Sequence, residues 1–162
     1  MNIGFIGQRI DVARRLARAG VRVFASGPAF ATLGGVTLMP NAVAVARALV
    51  APRITVLDLA DGFATELAIQ DVWPECAAGD VIVDFGRGTR ADGQRRAAAL
   101  ASVRMHFIDA ALSEKALHVG GEPDAIAIVA PYFAALGVQW THKGPPGSGY
   151  HAALNERFPF DT

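Results

Sequence analysis

The feature that most limits how this chain can fold is a series of short apolar runs that do not alternate with polar residues, each followed by a helix-length segment. Ile54-Thr55-Val56-Leu57 and Val81-Ile82-Val83 are two of them. A strand with one wet face alternates. A strand that reads apolar throughout is covered on both faces, as happens in a parallel sheet flanked by helices. Strands are expected at 2–7, 21–25, 36–38, 54–59, 81–85 and 105–109. Helices are expected at 12–19, 42–50, 63–73, 89–101 and 122–136. In the first of these, Val12, Leu16 and Ala19 share one side while Arg14, Arg15 and Arg18 lie elsewhere, an amphipathic pattern. Asn41 and Thr89 are placed to cap helix starts, and Gly137 suits the position just past a helix end. This β-α-β-α rhythm predicts an α/β fold: a doubly wound, mainly parallel sheet between two helix layers.

A length of 162 residues fits one domain with its own core. Fifteen basic side chains balance fifteen acidic ones, so the basic excess that nucleic-acid or membrane-surface binding usually needs is missing. The single cysteine, Cys76, fits a reducing compartment. No apolar run reaches bilayer-spanning length and the N-terminus does not read as a signal peptide, so a cytoplasmic protein is expected. His106, His118, His142 and His151 form no i, i+4 pair, and no metal is expected. Gly147-Ser148-Gly149 is not a nucleophile elbow, and residues 144–149 lack the Gly-Lys-Ser/Thr that ends a P-loop.

The first strand runs into the turn Gly4-Phe5-Ile6-Gly7-Gln8-Arg9-Ile10-Asp11 and then a helix. A Rossmann fold binds a pyrophosphate at this place, using glycines for close backbone approach and a helix N-terminus for favourable dipole charge. Ile3-Gly4-Phe5-Ile6-Gly7, Ala13-Arg14-Arg15-Leu16 and Ala19-Gly20 open the chain. Gly79-Asp80-Val81-Ile82-Val83-Asp84, His106-Phe107-Ile108-Asp109, Val119-Gly120-Gly121-Glu122 and Gly144-Pro145-Pro146-Gly147-Ser148-Gly149 follow in order. In these segments the chain resembles the cofactor-binding domain of the 6-phosphogluconate and 3-hydroxyisobutyrate dehydrogenases, the β-hydroxyacid dehydrogenases.

The resemblance implies a Rossmann domain over residues 1–142, with 143–162 a glycine-rich turn and a tail left from the interdomain helix. It implies NADP or NAD as cofactor, held by Gly7, Gln8, Arg9, Ser26, Gly86 and Arg87, and substrate contacts from Ser113 and Lys115. Several functional positions depart from the family. Of the phosphate-loop glycines only Gly7 is kept, and Asp11 stands near the third, where it is expected to cap the helix and to repel phosphate. Arg9 could offset that charge, although an arginine in a turn is usually solvated. After the second strand, Ser26 carries no charge to choose NAD or NADP, and a plain turn is the favoured reading. Arg87 replaces the family's asparagine; it either grips a phosphate or carboxylate or faces solvent at the rim. Ser113-Glu114-Lys115 keeps the serine of the substrate loop without its glycines and reads as a surface turn. Asp58 and Asp61 read as loop caps rather than an acidic pair.

The family's general acid/base lysine aligns with Ala153, so no catalytic residue is assigned. The expected function is a stand-alone Rossmann domain without dehydrogenase activity of its own and with weakened or lost dinucleotide binding. The alternative is an NAD(P)-dependent oxidoreductase for a small hydroxy acid, completed by a partner subunit. With the helical substrate domain missing from the chain, bared apolar surface is expected to form a homodimer or meet a protein partner, with Phe158 and Phe160 as cover.

Overall fold

The computed structural model describes residues 1–113 and 116–157, with side chains at the C-terminal end described to Leu154. Lys115, Phe158 and Phe160 lie outside the described residues. The strands are β1 (Asn2–Gly7), β2 (Arg22–Ser26), β3 (Val36–Leu38), β4 (Ile54–Asp58), β5 (Val81–Asp84), β6 (His106–Leu112), β7 (Ala116–Gly120) and β8 (Gln139–Gly144). The helices are α1 (Ile10–Arg18), α2 (Ala42–Ala48), α3 (Gly62–Val72), α4 (Arg90–Ala101), α5 (Pro123–Ala135) and α6 (Ser148–Arg157). One sheet runs β3-β2-β1-β4-β5-β6-β7-β8. Every pairing is parallel except β6 with β7.

The unalternating strands are explained by two cores. Phe5, Val56 and Val83 face α1 and α5, where Val12, Leu16, Val129 and Phe133 meet them. Their chain neighbours Ile6, Leu57 and Ile82 point to the other layer, with Val45, Ile69 and Leu100. Successive side chains on a strand point to opposite faces, so both neighbours must be apolar when both faces are covered. Asn41 and Thr89 cap α2 and α4 as their sequence positions suggest, each side chain accepting from a backbone N–H three residues on. Asp61 caps α3 in the same way.

Strands β7 and β8 were not expected. β8 reads Gln139-Trp140-Thr141-His142-Lys143-Gly144 and is mostly exposed, because an edge strand keeps little of the apolar pattern that marks a central one. β7 doubles back on β6, which extends β6 three residues beyond its expected end at Asp109.

The short helix α6 lies against β6, β7 and α4, and glycines set how close it comes. A Cβ built on Gly93 would stand 2.5 Å from the Cα of Gly147. Glycine inside a helix normally costs about 1 kcal/mol relative to alanine, so its presence in α4 needs a packing reason, and this contact supplies it. Gly93→Ala is therefore expected to destabilise the protein by about 2 kcal/mol despite the better helix former. Urea denaturation checks this; a gain in midpoint would show that α6 does not dock here.

Candidate functional site

The strand order reverses between β1 and β4, and the ends of those strands open a crevice, the usual ligand position in a doubly wound sheet. Gly7 ends β1 opposite Asp58 at the end of β4. With φ of +116°, Gly7 takes a conformation that side chains rarely adopt, and a Cβ there would overlap the Asp58 carbonyl oxygen. The glycine kept from the phosphate turn is thus required by the backbone alone.

Arg9 follows it, and the structure corrects the expectation that this side chain is solvated. Its Nε donates to Asp58 Oδ2 at 2.9 Å, a terminal nitrogen lies 3.5 Å from Asp11 Oδ2, and the guanidinium sits 5.5 Å from the centre of the Phe85 ring. Asp11 does not cap α1: the cap position is Arg9, without a side-chain cap bond, and Asp11 stands in the first turn. Asp11 lies inside the first turn, past the N-cap position from which a side chain accepts from the first free amides of the helix. Asp58 is no loop cap either but Arg9's partner. Burial pushes the Asp58 carboxyl above its ordinary range, and Arg9 opposes that rise. Two carboxylates therefore bracket one guanidinium at the phosphate turn.

Across the crevice, Asp84 ends β5 fully buried. One of its oxygens accepts the Gly86 N–H at 2.9 Å and the other accepts the hydroxyl of Tyr150. Arg96 donates to the Tyr150 oxygen at 3.0 Å and, through Nε, to Glu66 at 2.9 Å. Burial, then the neighbouring Asp84, raises the Tyr150 phenol above its ordinary value. Burial likewise raises Asp84. The phenol is held neutral with its proton committed to Asp84, so it is not available as an acid toward the crevice. Burial alone would also raise Glu66, but hydrogen bonds from Arg96 and Arg95 outweigh it and hold this carboxyl below its ordinary range. A lowered carboxyl stabilises the fold above its unfolded value of 4.5 and loses that contribution as pH falls through the folded value. Glu66→Gln should then lower the melting temperature at pH 7, with the difference from the native protein shrinking below about pH 4.5. Thermal melts at both pH values decide it; an equal difference at both would remove the ion pair as the cause.

The crevice holds about 480 Å³ and brings Gln8, Arg9, Gly86 and Arg87 together with Tyr150 and Ala153. Arg87 is exposed at its rim and makes no ion pair among the described residues. Ser26, at the end of β2, and Ser113 are not among the residues around it. The Ser113 hydroxyl bonds to the backbone of Ala116 and closes the β6–β7 turn. Asp58, Asp84, Arg96 and Tyr150 were not expected as site residues. A lone acid ending an otherwise apolar strand, as in Val-Ile-Val-Asp, is the signal that would have pointed to a buried partner.

A doubly wound sheet with a glycine turn at its switch point and a crevice beyond it defines a Rossmann domain of the dinucleotide-binding class. A family model described as the NAD binding domain of 6-phosphogluconate dehydrogenase matches residues 3–144, and the chain belongs to that family. It is 29% identical over 122 residues to the NADP(+)-dependent, decarboxylating 6-phosphogluconate dehydrogenase of Bacillus subtilis, covering 67% of this chain and 26% of the relative. The chain thus spans about a quarter of that protein's length. Among solved structures, 3-hydroxyisobutyrate dehydrogenase of Mycobacterium tuberculosis with L-serine superposes with a TM-score of 0.84 at 20% identity, over 96% of this chain and 58% of the other. An imine reductase of Myxococcus stipitatus in complex with NADP+ gives 0.82 at 16% identity, over 99% and 60%. Among the described residues no helix is long and apolar enough to cross a membrane.

Proposed function

We propose that this domain keeps the cofactor-domain architecture but binds NADP or NAD only weakly and does not by itself oxidise a hydroxy acid. The observation that carries this reading is Arg9, the one cation of the phosphate turn, clamped between Asp58 and Asp11. A pyrophosphate entering the turn meets a net negative charge there and must break the Arg9–Asp58 bond to gain a partner within the turn. That leaves Arg87 at the crevice rim as its unpaired cation among the described residues. Two unit charges about 6 Å apart at an effective dielectric constant near 20 repel by roughly 3 kcal/mol, and by less where water screens them. That is enough to remove the affinity that helix dipole and backbone amides supply.

The catalytic side is argued from Ala153. A hydroxy-acid oxidation needs a base at the substrate hydroxyl. Ala153 lines the crevice at the position where the resemblance places the lysine, and its neighbour Tyr150 has its proton tied to Asp84. Calorimetric titration with NADP+, NADPH, NAD+ and NADH tests the reading. Dissociation constants of about 0.1 mM or weaker for all four, with no cofactor reduction by small hydroxy acids, are expected. Micromolar affinity for any one of them would overturn it. Turnover restored by a second subunit would favour an enzyme completed by a partner.

A further inference from the structure

A second cleft, of about 490 Å³, lies on the other flank of α6. Ser148, His151 and Ala152 of α6 line it, whereas Tyr150, Ala153 and Leu154 line the crevice. At about 100° per residue, these two sets occupy opposite faces of the helix, so the cavities are separate sites. The second cleft gathers Arg90 from the start of α4, Lys143 from β8, His118 from β7 and His151. Its described lining includes no carboxylate. Neither Arg90 nor Lys143 makes an ion pair among the described residues.

The arginines whose side chains are mostly buried, Arg9, Arg53 and Arg96, all have carboxylate partners, whereas Arg90 and Lys143 are exposed and keep their charge free for a ligand. The nearby acid, Asp109, is fully buried and accepts from the amides of Gly147 and Tyr150 at the start of α6. Those amides are taken, so attraction in the cleft comes from side chains on separate elements. Converging cations in a concave site concentrate anions, and a guanidinium beside an ammonium suits a phosphate.

We propose that this cleft is an anion site for a small phosphate-bearing ligand, independent of the dinucleotide crevice. Its described aromatic lining is limited to the imidazoles of His118 and His151. The volume suits a compact metabolite.

Inorganic pyrophosphate is the probe, followed by amide chemical-shift mapping of the full chain. Saturable binding should shift Lys143, Ser148 and His151 and leave Gly7 to Arg9 in place. Lys143→Ala and Arg90→Ala should each weaken it about tenfold, as loss of one charge-assisted contact implies. Arg87→Ala, at the crevice rim, should leave it unchanged. Circular dichroism confirms that each variant is folded; should Arg90→Ala unfold, Lys143→Ala alone carries the test. No saturation by about 10 mM pyrophosphate, unchanged affinity in Lys143→Ala, or an equal loss in Arg87→Ala would each overturn the proposal. Because it uses no residue of the phosphate turn, it can fail while the reading of the crevice stands.

Discussion

Replacing Asp109 by alanine is expected to cost about 3 kcal/mol of stability, the largest effect of any single change proposed for this protein. The carboxylate accepts the Gly147 N–H at 2.6 Å and the Tyr150 N–H at 2.8 Å, from a site with no exposed surface. Alanine leaves both amides buried without an acceptor, at roughly 1–3 kcal/mol each. Part of this is offset, since burial raises the Asp109 carboxyl and the native charge itself is held at a cost. For a chain of this length the net loss corresponds to a fall in melting temperature of about 6–12 °C. It should be accompanied by loss of the near-ultraviolet dichroism of Tyr150. A melting temperature within about 2 °C of the native value would mean that α6 docks through its glycines and apolar contacts without Asp109.

The second large effect concerns the phosphate turn. Asp58→Asn removes one of the two carboxylates that bracket Arg9, and the remaining amide oxygen can still accept a weaker hydrogen bond. Arg9 is then released to meet a phosphate, and the repulsion of Asp58 is gone. NADP+ affinity should rise about tenfold, equivalent to roughly 1.4 kcal/mol. Asp11→Gly removes the more exposed carboxylate and should give a smaller gain. Equal affinity in Asp58→Asn and the native protein would show that something other than charge keeps the dinucleotide out. A decrease would show that Asp58 itself holds the ligand.

The sheet was legible because its central strands are covered on both sides, and no register choice can hide a run such as Val81-Ile82-Val83. The caps at Asn41 and Thr89 were legible because a cap is a local contact, three residues long. The pairing of Arg9 is hidden in the sequence for the converse reason. Its partner Asp58 is forty-nine residues away, brought opposite Gly7 only by the pairing of β1 with β4, and a turn arginine looks the same in sequence whether paired or not. The cluster of Asp84, Tyr150, Arg96 and Glu66 draws on β5, α6, α4 and α3, so no spacing could reveal it. Ala153 matches the family's lysine by resemblance alone, and the structure adds that it lines the crevice.

The sheet ends in two strands that bear on how the protein behaves at high concentration. An unpaired strand is a template on which a second chain can add and grow. At one end β3 is three residues long, too short to seed a stable cross-chain ladder. At the other, β8 carries Lys143 and His142, and two such strands laid edge to edge in register would set lysine against lysine. Fibrous aggregation by strand addition is thereby discouraged at both ends.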